Sequence, residues 1–243
     1  MMSLKALSNT FLGFLYPECC QICSEASATP ESGYVCDACR AGIQRIERPF
    51  CERCGLPVSG EVTGTFQCPN CHELELYFAS ARSVFAARGV GRDLVHRFKY
   101  HRALWFEPLF ETLLRETALP EISTGQWDAI LPVPLHALKQ REREFNQADR
   151  LARLLGRSTG VPVHGGALRR TQHTETQTHL TRAERNRNVR SAFEWRGEWP
   201  SQWRRVILVD DVLTTGATTN ACARVLRRAG AEHVSVWTLA RGI

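Results

Sequence analysis

No stretch of the 243-residue chain approaches the roughly 20 consecutive apolar residues that a membrane-spanning helix needs. A spanning protein is therefore not expected. The first residues hold one Lys and an apolar patch (Leu4, Leu7, Phe11, Leu12, Phe14 and Leu15) but no small-residue cleavage site. That argues against an export signal and for a cytoplasmic protein. The spacing of the patch suits an amphipathic helix, packed on the rest of the chain or docked on a partner or the inner face of a membrane. Large aliphatic side chains are also scarce between the first cysteine and residue 78, too few for a core of their own. The remainder is ordinary for a globular protein, with 43% hydrophobic and 23% charged residues.

Cysteine is what stands in place of that missing core. Nine of the ten Cys lie in residues 19–71, and eight form four C-x-x-C pairs: Cys20/Cys23, Cys36/Cys39, Cys51/Cys54 and Cys68/Cys71. Two residues between thiols form a tight knuckle that aims both sulfurs at one metal. The 12, 11 and 13 residues between pairs leave room for a short hairpin. Eight thiolates suffice for two tetrahedral structural zinc ions. Gly55 directly follows Cys54, where a knuckle needs a permissive backbone. Joining neighbours in sequence, 20/23 with 36/39 and 51/54 with 68/71, closes the shortest loops. Cys19 is an alternative ligand to Cys20. Disulfides would need an oxidising compartment. Cys68-Pro-Asn-Cys71-His72 also matches a c-type haem attachment motif, although it is one of four equivalent pairs; His72 is expected to be an exposed loop residue.

Charge divides the chain. Residues 1–78 hold 5 Lys+Arg against 9 Asp+Glu, which leaves 26 and 16 for residues 79–243. Lys139–Arg190 alone has 12 basic and 5 acidic residues. Such a stretch suits phosphate-rich partners, or forms a solvated basic face. We divide the chain into residues 1–78, an N-terminal helix and metal module, and residues 79–243, a second domain.

The second domain alternates strand and helix signals. Gly91–Tyr100, Leu104–Thr117, Asn146–Leu155 and Thr218–Ala229 have helical spacing, with Gly156 and Gly230 as stops. Trp127–Val133, Arg205–Val209 and His233–Ala240 read as buried strands. The alternation predicts an α/β fold with a parallel sheet flanked by helices. Cys222, among Ala221, Val225 and Leu226, reads as a small buried residue.

The segment Val206-Ile-Leu-Val-Asp-Asp-Val-Leu-Thr-Thr-Gly-Ala-Thr218 concentrates the chemistry. An apolar strand ends in Asp210 and Asp211, where open α/β sheets bind ligands. The chain is expected to turn there, so that both carboxylates reach one ligand and accept from vicinal ribose hydroxyls. Thr214, Thr215, Gly216, Ala217 and Thr218 form a small-residue loop opening a helix, able to cradle a phosphate dianion. The Gly-Lys-[Ser/Thr] ending of a Walker loop is missing.

This segment resembles the phosphoribosyl-pyrophosphate signature of type I phosphoribosyltransferases, and the chain as a whole resembles the ComF/GntX family. Val95-His-Arg-Phe-Lys-Tyr100, Leu131-Pro-Val-Pro-Leu-His136, Arg141-Glu-Arg-Glu-Phe-Asn-Gln147 and Leu180-Thr-Arg-Ala-Glu-Arg-Asn-Arg-Asn-Val189 extend the similarity. The resemblance implies a double zinc ribbon joined to a type I phosphoribosyltransferase fold. It implies that Asp210 and Asp211 contact ribose and that the Thr214–Thr218 loop holds the 5′-phosphate. The backbone around Val133, Pro134 and Leu135 would meet a Mg²⁺-bound pyrophosphate. Thr171–Asn188 would be the loop that covers the site. It further implies a part in natural competence, with single-stranded DNA and a helicase as partners. Glu144 stands where the family usually has Gly: either that Gly gives backbone room near the pyrophosphate, so that ligand binding is altered here, or a helix there tolerates both.

Two functions follow: binding of phosphoribosyl pyrophosphate in DNA handling, or transfer of the phosphoribosyl group to an acceptor. No base-reading constellation is recognisable. Lys99 and Tyr100 line an acceptor pocket, or are a surface Lys and a core Tyr. Phe145, Phe193 and Trp195 are the few aromatics in or beside the basic stretch that can stack on bases.

Overall fold

The computed structural model describes residues 18–58, 60, 68–71, 75–172 and 191–243. Its strands are β1 (Ser80–Ala86), β2 (Ala129–Pro132), β3 (Leu168–Arg170), β4 (Phe193–Trp195), β5 (Arg205–Leu213) and β6 (His233–Arg241). Its α-helices are α1 (Asp37–Ala41), α2 (Gly89–Tyr100), α3 (Glu107–Ile122), α4 (Ala137–Arg143), α5 (Gln147–Thr159) and α6 (Ala217–Ala229). The four longest strands form one all-parallel sheet in the order β1-β6-β5-β2. β3 and β4 pair antiparallel as a separate ribbon.

Alternation along β5 assigns the two faces. Ile207 and Val209 join Leu94 and Phe98 of α2, Phe110 and Leu113 of α3, and Leu151 and Leu155 of α5. Val206 and Leu208 face Cys222, Ala223 and Leu226 of α6, with Leu168 and Phe193 of the ribbon. Both faces of a parallel sheet are thus covered, which explains its near-continuous apolar strands. Phe110 is fully buried, and cutting it to Ala would cost about 3–5 kcal/mol.

Several boundaries move for local reasons. Gly156 does not stop α5, which runs on to Thr159 and ends at Gly160 in the left-handed region. A Cβ on Gly156 would lie 2.5 Å from Val163 Cγ2, so this glycine serves close packing. Leu104–Phe106 is a 3-10 turn, and α3 starts after it and continues through Pro120. β5 runs beyond Val209 through both acids to Leu213, because Asp210, Val212 and Leu213 pair with Thr238, Ala240 and Arg241 of β6.

The cysteine-rich segment is laid against β1. Ile46 N–H donates to Val84 O at 3.1 Å, Ala86 N–H to Gln44 O at 2.8 Å, and Ala81 N–H to Arg53 O at 2.8 Å. Gly55 has φ +65°, and a Cβ there would meet Ala81 O at 2.6 Å. Arg82 bridges Glu52 and Glu121 at 2.6 and 3.0 Å. Arg97 of α2 donates to Gln21 O inside the first cysteine knuckle.

Candidate functional site

The eight paired cysteines form two clusters, Cys20/Cys23/Cys36/Cys39 and Cys51/Cys54/Cys68/Cys71, each with its sulfurs within 4.8 Å of one another. This is the sequence-adjacent pairing. Four sulfurs about 2.3 Å from a zinc ion would stand about 3.8 Å apart along the edges of the tetrahedron. Cys23–Cys36, Cys51–Cys71 and Cys54–Cys68 are separated by 3.9, 3.8 and 3.6 Å. All the described cysteines are free thiols, and Cys19 stands outside both clusters.

The electrostatics call for a cation. Burial, then neighbouring thiols, push Cys39 up to about 12. Burial and then Cys54 push Cys68 up to about 11. Burial opposes ionisation of Cys20 too, yet the backbone N–H groups of Cys36, Cys23 and Ile22 bring it down to about 6. Thiols this close cannot all ionise unaided, and a divalent ion at the centre removes the repulsion. The donor set and spacing fit zinc at both positions. His72 lies outside the described residues, as do the amphipathic segment 1–17 and residues 173–190, which include most of Thr171–Asn188.

The second site is at the carboxyl end of the sheet. Because β5 remains a strand through Leu213, Asp210 and Asp211 point to opposite faces instead of sharing a turn. Asp211 turns towards α2, where Lys99 Nζ lies 2.8 Å from its Oδ1 with both side chains largely buried. Asp210 faces Cys222 and Arg170. Its Oδ1 accepts from Asp211 N–H at 2.9 Å. Burial, and then the charge of Asp211, push Asp210 up to about 7, against the pull of Lys99 and Arg170.

Beyond β5, Thr214 and Thr215 lead to Gly216, which caps α6 at φ +81°. A Cβ on Gly216 would be no closer than 3.8 Å to its surroundings, so backbone conformation selects this glycine. Thr215 Oγ1 accepts from Ala217 N–H at 3.4 Å, and Thr219 Oγ1 donates to Gly216 O at 3.1 Å. Ala217 and Thr218 open the helix, where N–H groups lack intrahelical partners.

β2 delivers the neighbouring loop. Val133 N–H donates to Val209 O at 2.8 Å, and Val133 O accepts from Asn146 Nδ2 at 3.0 Å. Asn146 also caps α5 through Ala148 N–H at 3.0 Å. An open cleft of about 1250 Å³ borders Pro134 and is walled by Arg150, Arg153, Arg169 and Arg170, among others. Lys139 is held below its usual value by burial, then by the charges of Arg170 and Arg143. Lys139, Arg143 and Arg170 belong to the basic stretch marked in the sequence, but their convergence with Lys99 was not legible, since the four come from three separate elements.

For Lys99 and Tyr100, the plain alternatives to a pocket role fail. Lys99 is paired rather than a plain surface residue, and Tyr100 is 59% exposed rather than core. Glu144 ends α4 at φ +64°, a left-handed backbone that favours Gly, rather than lying inside a helix that tolerates either residue. Cys222 is fully buried, as expected.

The double zinc ribbon domain family matches residues 11–73. Competence protein F of Haemophilus influenzae is 33% identical over 213 residues, covering 85% of this chain and 90% of that protein. DNA utilization protein YhgH of Salmonella typhimurium is 34% identical over 229 residues, covering 93% and 97%. Among solved structures, adenine phosphoribosyltransferase from Leishmania tarentolae is similar at 15% identity and a TM-score of 0.35, covering 60% of this chain and 74% of that one; the likeness is too slight to build on.

Proposed function

The chain belongs to the family of competence protein F, and on that premise we propose that it binds phosphoribosyl pyrophosphate, or a related sugar phosphate, and handles single-stranded DNA in natural transformation. The observation that carries the ligand is the convergence at one end of the sheet of Asp210 and Asp211, a cationic group and a helix-opening loop of small residues. The 5′-phosphate sits on the N–H groups and hydroxyls of Thr214–Thr218. Asp211 accepts from the ribose hydroxyls, and Asp210, on the other face of β5, adds its carboxyl at the same strand end. The pyrophosphate lies towards Val133 and Pro134, within the field of Lys139 and Arg170. Mg²⁺ on that pyrophosphate would neutralise part of its charge.

The DNA role rests on the relatives and on the arginines around the cleft, which suit a single-stranded backbone. A competence helicase would be the partner that feeds or pulls the strand. Catalysis is the second reading. It is favoured by Lys139 and Arg170, whose charges would stabilise a departing pyrophosphate. A screen of bases and amines for pyrophosphate release tests it.

Calorimetry with phosphoribosyl pyrophosphate and Mg²⁺ tests the ligand. The wild-type chain should bind, and the Asp210→Asn/Asp211→Asn variant should bind at least ~10-fold more weakly, since it loses charge-assisted hydrogen bonds. Equal binding by the two proteins would remove the site.

A further inference from the structure

We propose that Arg241 is the positioning residue of the phosphate loop: from beneath, it fixes the peptides of Leu213 and Thr214 so that two N–H groups face a phosphate monoester. The inference rests on the phosphoribosyl reading of that loop. Arg241 is the last residue of β6, and its side chain is among the largest that are fully buried. Its Nη1 donates to Leu213 O at 2.8 Å, to Gly242 O at 3.0 Å and to Thr214 O. Gly242 N–H adds a further bond to Leu213 O at 2.9 Å. A Cβ on Gly242 would sit 3.2 Å from Thr214 Cγ2, so chain and loop are in contact there.

Peptide planarity turns these bonds into a direction. In a trans peptide the carbonyl of one residue and the N–H of the next point in opposite senses. Both peptides here are trans. With the oxygens of Leu213 and Thr214 drawn down to Arg241, the N–H groups of Thr214 and Thr215 point away from it. Among the described residues, neither N–H donates to a backbone carbonyl. The loop continues into Gly216 and the first turn of α6, so the two N–H groups extend the donor array of the helix N-terminus. A carbonyl turned the other way would present an oxygen to the anion. The buried guanidinium prevents that, and its charge adds to the field on the same side.

The test compares two ligands on zinc-loaded full-length protein. Arg241→Lys and Arg241→Met should weaken ribose 5-phosphate at least ~10-fold, the loss expected when charge-assisted bonds no longer hold the loop. Pyrophosphate, which meets the Val133–Pro134 side, should bind as before. A general structural defect would weaken both ligands equally, and that result, or unchanged ribose 5-phosphate binding, overturns the inference. If neither variant folds, amide resonances of the wild-type chain decide. Ribose 5-phosphate should shift the Thr214 and Thr215 N–H signals; shifts confined to Ala217 and Thr218 would refute the role. A wild-type chain that binds neither ribose 5-phosphate nor phosphoribosyl pyrophosphate would refute the ligand reading itself, and this inference with it. Binding by the wild type with no effect of the Arg241 variants would refute the inference alone.

Discussion

Asp210→Asn should make the protein more stable at pH 8 while it weakens the ligand site. The amide is nearly isosteric and still accepts from Asp211 N–H, a bond of 2.9 Å in the native chain. What it removes is a charge that burial and Asp211 oppose, an opposition that raises the carboxyl from about 3.8 to about 7. An unfolded chain releases this proton near 3.8 and the folded chain near 7. Between those values the folded state binds more protons, so unfolding free energy falls as pH rises and stays low above 7. A shift of about 3 units corresponds to about 4 kcal/mol at most, and solvent reaching the part-buried side chain reduces this to ~2 kcal/mol. For a chain of this size that is a rise of about 4–8 °C in Tm. Differential scanning calorimetry of zinc-loaded protein at pH 5 and pH 8 reads it. The variant's advantage should be only about a third as large at pH 5, where the folded carboxyl is neutral but the unfolded one is already ionised, as at pH 8, where it is complete. A variant that melts lower at pH 8, or that differs equally at the two pH values, would refute the reasoning.

Metal analysis of the purified chain should find two zinc ions, Cys23→Ser and Cys54→Ser should each lower the count by about one, and a count of zero would end the zinc assignment. Glu144→Gly should stabilise the protein by ~1 kcal/mol in denaturant titrations, because a non-glycine residue at φ +64° is strained and its ion pair with Arg102 is exposed; destabilisation would show that the ion pair matters more than the backbone. Affinity for single-stranded DNA should fall steeply with salt, with a log–log slope of about −0.7 per phosphate neutralised; a flat response would mean that the arginines around the cleft do not carry the contact.

Features with a local cause could be read from the sequence. The four C-x-x-C knuckles set both metal clusters, since each knuckle is a turn of two residues and the short loops decide the pairing. The apolar run from Val206 to Val209 marked the central strand, and the small residues Thr214–Thr218 marked the opening of α6. The extension of β5 through two acids was not visible, because pairing with Thr238 and Ala240 overrides the weak strand preference of Asp. The same applies to the ion pair of Lys99 with Asp211, and to Arg241 under Leu213 and Thr214. These contacts link residues 112 and 28 positions apart (211 minus 99, 241 minus 213), and no periodicity encodes them. The left-handed backbone at Glu144 appeared only in the structure, since a non-glycine residue gives no sequence sign of a positive φ.

The hydrogen bonds from residues 44–46 and 53 to β1 give the zinc ribbon a further consequence. β1 is the outer strand of the parallel sheet, and an uncovered outer strand is a template on which other chains can polymerise. The metal module acts as a selvedge that stops the sheet from growing. Chelation would therefore threaten more than two small clusters: it would unpick that border and open a β-strand to its neighbours, so that loss of metal would register first as aggregation.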